Sequence, residues 1–386
     1  MNAVNQSETL PYWQLSSFYW FYFAVLGALI PFIGLYLNFL GFSTAEIGEL
    51  IAVIMGTKII APNLWGWLAD CGCRRLRIIR LGAFLSILFF AGIFFNHQYW
   101  WLFTVLFCFS FFWNAVLPQF EALTLNFLGT DHHRYSLIRL WGSIGFIISV
   151  FLMGWLFNHI SIEYFPWFVF FLLIGLLIST FFVAEKVSIH HEKDHEPLRK
   201  LIAKPEIIAF FSVCFLVQAS HGPYYSFFSI YAAEHNYSNS YIGFLWALGV
   251  MSEVVVFTLI PKWVKYFGLR KLLLFSLFTG ALRWLVIAYY IDVPWLLTLN
   301  QIFHASTFGV YHVVAITLVH RFFVGKNQGM GQSLYSSLSF GLGGALGSLY
   351  AGYVWESAGP VATYLLAAGI SLIGFAVSYK YTEVKN

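Results

Sequence analysis

Long apolar runs without a single charge constrain this chain more than any other feature. Trp167–Val183 and Phe84–Phe95 contain no Asp, Glu, Lys or Arg. A membrane-spanning helix needs about 20 predominantly apolar residues, whereas the strands of a membrane barrel alternate over segments of about 10. Continuous runs therefore imply helices. Charged residues make up 10% of the chain and apolar residues 60%, against roughly 25% charged in an ordinary soluble protein. A soluble enzyme of this size could not hide that much apolar surface. Disorder is excluded too, because disordered segments combine low hydrophobicity with high charge. The net charge of +4 is too small to point to nucleic acid.

At about 32 residues per span and loop, 386 residues accommodate about twelve spans. The apolar runs and their breakers predict helices at 12–40, 44–69, 77–96, 99–127, 135–158, 165–184, 206–233, 239–261, 270–290, 293–320, 329–353 and 359–380. The one long polar stretch, 185–204, divides a first bundle (1–184) from a second (205–386). Charge placement supports the map. Nineteen of the 21 basic residues fall in alternate loops or the C-terminal tail, including Arg74, Arg75, Arg77 and Arg80 after span 2 and Lys262, Lys265, Arg270 and Lys271 after span 8. The opposite loops carry only acids, such as Glu163, Glu234, Asp292 and Glu356. Positive residues favour cytoplasmic loops, so both termini are expected in the cytoplasm. With no basic n-region and no cleavage site, the first span is expected to be retained.

The two halves repeat at an offset of 195. Ser43, Ile47, Gly48, Leu50 and Ala52 recur as Ser238, Ile242, Gly243, Leu245 and Ala247, and Gly27 and Tyr36 recur as Gly222 and Tyr231. Parallel repeats of six spans build transporters whose site lies between the halves near the midplane.

Four charges stand mid-span: Lys58, Glu121, Glu253 and Arg283. Each costs about 2.5–3.5 kcal/mol at a helix centre on insertion scales, so they need partners or a wet cavity. The expectation is one acid and one base per half, Lys58 with Glu121 and Glu253 with Arg283. Such pairs can be opened by protonating the acid or by a competing substrate anion; alternatively they are static braces. His304 and His312, eight apart on one helix, suit proton transfer because histidine titrates near neutral pH. Gln218, His221 and Tyr225 share one helix face. With Trp246 they are the candidate substrate lining, although a buried histidine bonded to its neighbours is an equally ordinary reading. Arg139, near the start of span 5, reads as a gate or structural contact. The stripe Ser339, Gly343, Gly347 and Ala351 lets helices approach closely. No nucleophile–base set, nucleotide loop or haem signature is present. Cys71 and Cys73 form a lone C-x-C, too little for a metal site, and no cofactor is expected.

These residues resemble the major facilitator superfamily over nearly the whole chain. The stretch Gly66-Trp-Leu-Ala-Asp70-Cys71-Gly72-Cys73-Arg74-Arg75 is similar to its motif G-x-x-x-D-R-x-G-R-R, with Gly66, Asp70, Arg74 and Arg75 fitting and Cys71 and Cys73 departing. The segments Ile138–Phe146, Gln218–Tyr225, Leu245–Glu253 and Arg283-Trp284, with His304 and His312, resemble the phenylpropionate permease branch, relatives of lactose and nucleoside permeases. The resemblance implies an all-α, twelve-helix inner-membrane protein importing a small aromatic carboxylate such as 3-phenylpropionate with protons. Glu121, Glu253, His304 and His312 would handle the proton, and Lys58 and Arg283 would tune the acids or receive the substrate anion. A monomer would suffice. A sugar or nucleoside substrate and an exporting direction remain open. A non-transporting sensor would need a large soluble output domain, and no polar stretch of that size is present.

Overall fold

The computed structural model describes residues 10–71, 74–129, 131, 134–185, 201–325 and 327–381. Among them, ten helices are long and apolar enough to cross a membrane. These are α1 (Tyr12–Phe39), α2 (Thr44–Asp70), α3 (Arg75–Phe90, continued by a tighter turn to Phe94), α4 (Tyr99–Leu128), α5 (Tyr135–Leu156), α6 (Phe165–Phe181), α7 (Pro205–Glu234), α8 (Asn239–Tyr290), α9 (Pro294–Phe322) and α10 (Asn327–Tyr381). Two are far longer than a bilayer is thick. The 52 residues of α8 would extend roughly 78 Å if straight. Each leaves helical geometry once, α8 at Gly268 (φ 76°, ψ 160°) and α10 at Gly359 (φ 81°, ψ 177°). Only glycine adopts that backbone without strain.

Local capping explains where α2 and α8 begin. Ser43 accepts from the amide of Glu46 at 3.3 Å, and Ser238 accepts from the amide of Tyr241 at 3.2 Å. These serines are partners at the offset of 195, so the repeat is a repeat of helix starts. Glu46 completes a capping box on α2; Tyr241 stands in its place on α8. The turns between α1 and α2, α7 and α8, and α8 and α9 lie at one end of the bundle, here the acid face. The arginine-bearing turns lie at the other, the basic face.

Two close crossings lock the acid face. A Cβ on Gly48 of α2 would lie 2.8 Å from the Cα of Gly352 on α10. A Cβ on Gly243 of α8 would lie 3.2 Å from the Cα of Gly154 on α5. Gly48 and Gly243 are repeat partners, so the same position in each half of the sequence makes a close contact with the other half. Side chains staple these crossings. Glu356 accepts from the Ala45 amide at 2.9 Å, and Asn239 donates to the Phe157 carbonyl at 2.9 Å. Glu49 accepts from both Tyr99 and Tyr353 hydroxyls.

The small-residue stripe of α10 packs on α7. Cβ atoms added at Gly343 and Gly347 would sit 2.7 and 2.8 Å from the carbonyls of Phe215 and Ala219. Without a hydrophobic drive between helices in lipid, this close van der Waals contact is what holds them together.

Candidate functional site

The polar centre of the second half of the chain is built on α7, α8 and α9. Glu253 lies 14 residues along α8 from Asn239, and His304 lies 10 along α9 from Pro294, a difference of about 6 Å in rise that the two long side chains span. His304 Nε2 lies 3.0 Å from Glu253 Oε1. Its other nitrogen, Nδ1, lies 3.0 Å from Nη1 of Arg283. A guanidinium can only donate, so Nδ1 is the acceptor and Nε2 carries the hydrogen that Glu253 accepts. One neutral histidine thus joins a carboxylate to a guanidinium, and geometry dictates its tautomer.

The expected direct pair of Glu253 with Arg283 is not formed: among the described residues these groups come no closer than the salt-bridge limit, and His304 stands between them. Arg283 is otherwise enclosed. It donates to the Asn300 carbonyl at 3.2 Å, to Thr307 at 3.1 Å and to Gln301 at 3.0 Å. Gln301 Oε1 accepts from Tyr224 as well, at 3.0 Å. The guanidinium lies 4.5 Å from the Tyr224 ring centroid and 5.0 Å from that of Trp284. Arg283 is 1% exposed.

Around this centre the aromatic residues form a wall. The His221 ring stands edge-on to Trp284 at 4.9 Å and lies 6.4 Å from His304. His221 Nδ1 donates to the Val217 carbonyl at 2.7 Å, which leaves Nε2 as a buried acceptor without a partner among the described residues. The buried amide nitrogen of Gln218 is also without a partner among the described residues. Trp246 lies 4.5 Å from Tyr224 and 6.2 Å from Tyr225, and its indole donates to Ser229. Three of the four candidate lining residues, His221, Tyr225 and Trp246, therefore gather with Tyr224 beside Arg283 and His304, whereas the Cβ of Gln218 lies against Gly343 of α10.

His312 continues the α9 side. The rings of His304, Phe308 and His312 stack in a column, with centroids 5.6 and 5.9 Å apart and planes within 9° and 2° of parallel. Eight residues overshoot two α-helical turns slightly at about 3.6 residues per turn. The wider π-turn at Ala305–Val310 takes up that excess and keeps the rings in line. His312 Nδ1 lies 3.1 Å from the Tyr335 hydroxyl.

In the first half of the chain the expected pair of Lys58 with Glu121 is absent. Lys58 lies 14 residues along α2 from Thr44, and Glu121 lies 22 along α4 from Tyr99. At about 1.5 Å per residue the carboxylate is about 12 Å nearer the basic face. Lys58 Nζ instead lies 3.5 Å from the sulfur of Met55, one turn back. Glu121 accepts from the Tyr135 hydroxyl at 3.2 Å. Beside it, Arg139 lies 3.6 Å over the Phe23 ring and 5.8 Å from that of Tyr19.

Of the loop motif, Arg75 donates to Gln119 at 2.8 Å, and Gly66 faces the same amide. Arg74 is exposed. Gly72, Cys73 and the side chain of Asp70 lie outside the described residues, as does most of the 185–204 stretch. Tyr224, Asn300, Gln301 and Thr307 were not singled out in the sequence. Gln301 and Thr307 stand three residues either side of His304, so the same-face rule applied to His304 would have found both.

Several known proteins share this architecture. The chain is 28% identical over 362 residues to a probable 3-phenylpropionic acid transporter of Escherichia coli (strain K12), covering 90% of this chain and 92% of that protein. It is 26% identical over 367 residues to the maltose permease of Geobacillus stearothermophilus, covering 93% and 92%. A crystal structure of a mutant of the nucleoside transporter NupG superposes with a TM-score of 0.86 at 17% identity, over 96% of this chain and all of that one. That likeness concerns the fold. The model of the MFS_1 like family matches residues 12–366, and the chain belongs to that family of multi-pass membrane transporters.

Proposed function

We propose that the chain is a proton-coupled symporter that imports a small aromatic carboxylate, of which 3-phenylpropionate is the type, across the bacterial inner membrane by alternating access. The observation that carries this reading is the Glu253–His304–Arg283 chain buried inside the spanning helices. Glu253 is the proton site, and His304 Nε2 holds its carboxylate in place. Protonating Glu253 removes the negative charge that balances Arg283 through the imidazole. In a medium of low dielectric that imbalance favours entry of an anion, so proton and carboxylate are taken up together and leave together. The aromatic wall of Tyr224, Tyr225, Trp246 and Trp284 suits a phenyl ring.

In this reading α8 and α10 each count as two spans, broken at Gly268 and Gly359. That makes twelve, arranged as residues 1–184 and 205–386 joined by the cytoplasmic segment 185–204, with both termini on the same side. The glycine crossings of the acid face make the present conformation one closed toward the periplasm. Glu121, Arg139 and His312, all partly exposed, then form the approach from the basic face.

A second reading has its own support, because the maltose permease and a putative nucleoside transporter of Escherichia coli (26% identical over 361 residues) also align with most of the chain. In that case the buried charges serve coupling alone and the substrate is neutral. A competition panel separates the two. Uptake of labelled 3-phenylpropionate into cells overexpressing the protein is challenged with aromatic acids, nucleosides and disaccharides. Inhibition by acids alone supports the carboxylate reading. Absence of protein-dependent uptake, with transport of a nucleoside or sugar in its place, replaces it with the neutral-substrate reading.

A further inference from the structure

We propose that Lys58, and not Arg283, receives the carboxylate of the substrate; the assignment rests on the aromatic-acid reading above. Both cations stand within spanning helices, and either could in principle meet an anion. Their hydrogen-bonding states decide between them.

Arg283 has five N–H groups. Four already have acceptors, namely the Asn300 carbonyl, His304, Thr307 and Gln301. Aromatic rings lie beside the guanidinium, and the residue is 1% exposed. A bidentate carboxylate would have to displace two of those acceptors and open the rings.

Lys58 is in the opposite condition. Its ammonium carries three N–H groups. The one contact recorded for it among the described residues is the Met55 thioether at 3.5 Å, a weak acceptor. No acid among the described residues lies within 4.0 Å of it. The residue is partly exposed. An ammonium held among apolar helices with no oxygen acceptor is a site that an anion stabilises strongly, because the anion supplies the hydrogen bonds that water would otherwise give.

Position supports the same assignment. Lys58 and Glu253 are partners at the offset of 195, and each lies 14 residues from the start of its helix. The repeat therefore sets the cation of one half and the acid of the other at the same depth. Around Lys58, α2 runs against α10. A Cβ on Gly341 would lie 3.3 Å from the Lys58 carbonyl carbon, and one on Gly344 would lie 3.4 Å from Met55. A carboxylate bound there lies beside helices of both halves, where a ligand must sit to bias their relative arrangement.

The test uses the full chain in proteoliposomes, with labelled 3-phenylpropionate and its neutral amide, 3-phenylpropionamide, as probes. The wild type is expected to take up the acid in preference to the amide. Lys58→Gln should lower that preference about tenfold or more, the size of one charge-assisted hydrogen bond. Lys58→Arg should restore part of the preference. If the wild type transports the acid and Lys58→Gln keeps the full preference, the anchor is overturned and the aromatic-acid reading stands. If the wild type transports no acid above protein-free vesicles, that reading falls and the anchor falls with it. Should Lys58→Gln fail to fold, the wild type is treated with acetic anhydride and Lys58 is followed by peptide mass spectrometry. Protection by the acid but not by the amide supports the anchor, and equal modification with both overturns it.

Discussion

His304 donates from Nε2 to Glu253 at 3.0 Å while its Nδ1 accepts from Arg283 at 3.0 Å, so a single imidazole transmits the charge state of one group to the other. A residue with only one polar contact could not do this. The arrangement makes His304 as necessary as the acid it holds.

Replacing His304 with alanine should therefore uncouple uptake from the proton gradient. Each charge-assisted hydrogen bond lost is worth roughly 1.5–3 kcal/mol, which corresponds to about tenfold to a hundredfold in an equilibrium. Protonophore-sensitive accumulation is expected to fall by about that factor, while exchange of labelled for unlabelled substrate across the membrane persists. Parallel accumulation and exchange assays check this; loss of both together would mean that His304 serves folding or binding instead.

Arg283→Lys is not conservative here. A lysine has neither the planar fork that reaches Asn300, Gln301, Thr307 and His304 nor the flat face against Tyr224 and Trp284. Two lost charged hydrogen bonds amount to about 3 kcal/mol or more. The purified variant should melt several degrees below the wild type in a thermal-shift assay in detergent, and transport should be lost. An unchanged melting temperature would contradict the enclosed state of this residue, with four of its five N–H groups bonded.

The acid-face seal predicts an accessibility change. Gly48→Val places methyl groups where the Cα of Gly352 stands 2.8 Å from the Cβ position. In a background without native cysteines, a probe substitution Ser348→Cys should react slowly with a membrane-impermeant thiol reagent. Adding Gly48→Val should speed that reaction about tenfold or more, the effect of roughly 1.4 kcal/mol on the opening equilibrium. Equal rates would show that the crossing does not hold the face closed.

Glu49 gives that seal a polar latch. It joins Tyr99 on α4 to Tyr353 on α10, and only the second contact links the two halves of the sequence. Tyr353→Phe should therefore open the acid face in the same thiol assay, by the factor of about ten that one hydrogen bond to a charged group supplies. Tyr99→Phe should have a smaller effect. The reverse order would place the latch within the first half.

The helical class is legible in the sequence because lipid imposes one simple rule on every span. The equivalence of Ser43 with Ser238, made from five matching residues, reappears as two equivalent helix caps. The shared face of His221 and Tyr225 follows from helical spacing within α7, whereas the approach of Trp246 from α8 does not. The pairing of charges did not. Lys58 and Glu121 look alike as mid-span charges, yet they sit on helices entered from the same face at depths about 12 Å apart, and counting from each helix start was needed to see it. The interposed imidazole was equally hidden, because contacts between α8 and α9 depend on how the helices pack and not on spacing within either one. The π-turn that aligns His304, Phe308 and His312 has no simple sequence signature.

Proton-driven accumulation tests the central claim most directly. Purified protein in proteoliposomes is given an inward proton gradient and labelled 3-phenylpropionate, alongside protein-free vesicles and vesicles carrying Glu253→Gln. The account predicts accumulation above protein-free vesicles that collapses on adding a protonophore and is absent in Glu253→Gln. Accumulation that survives the protonophore, or that Glu253→Gln sustains in full, would contradict it.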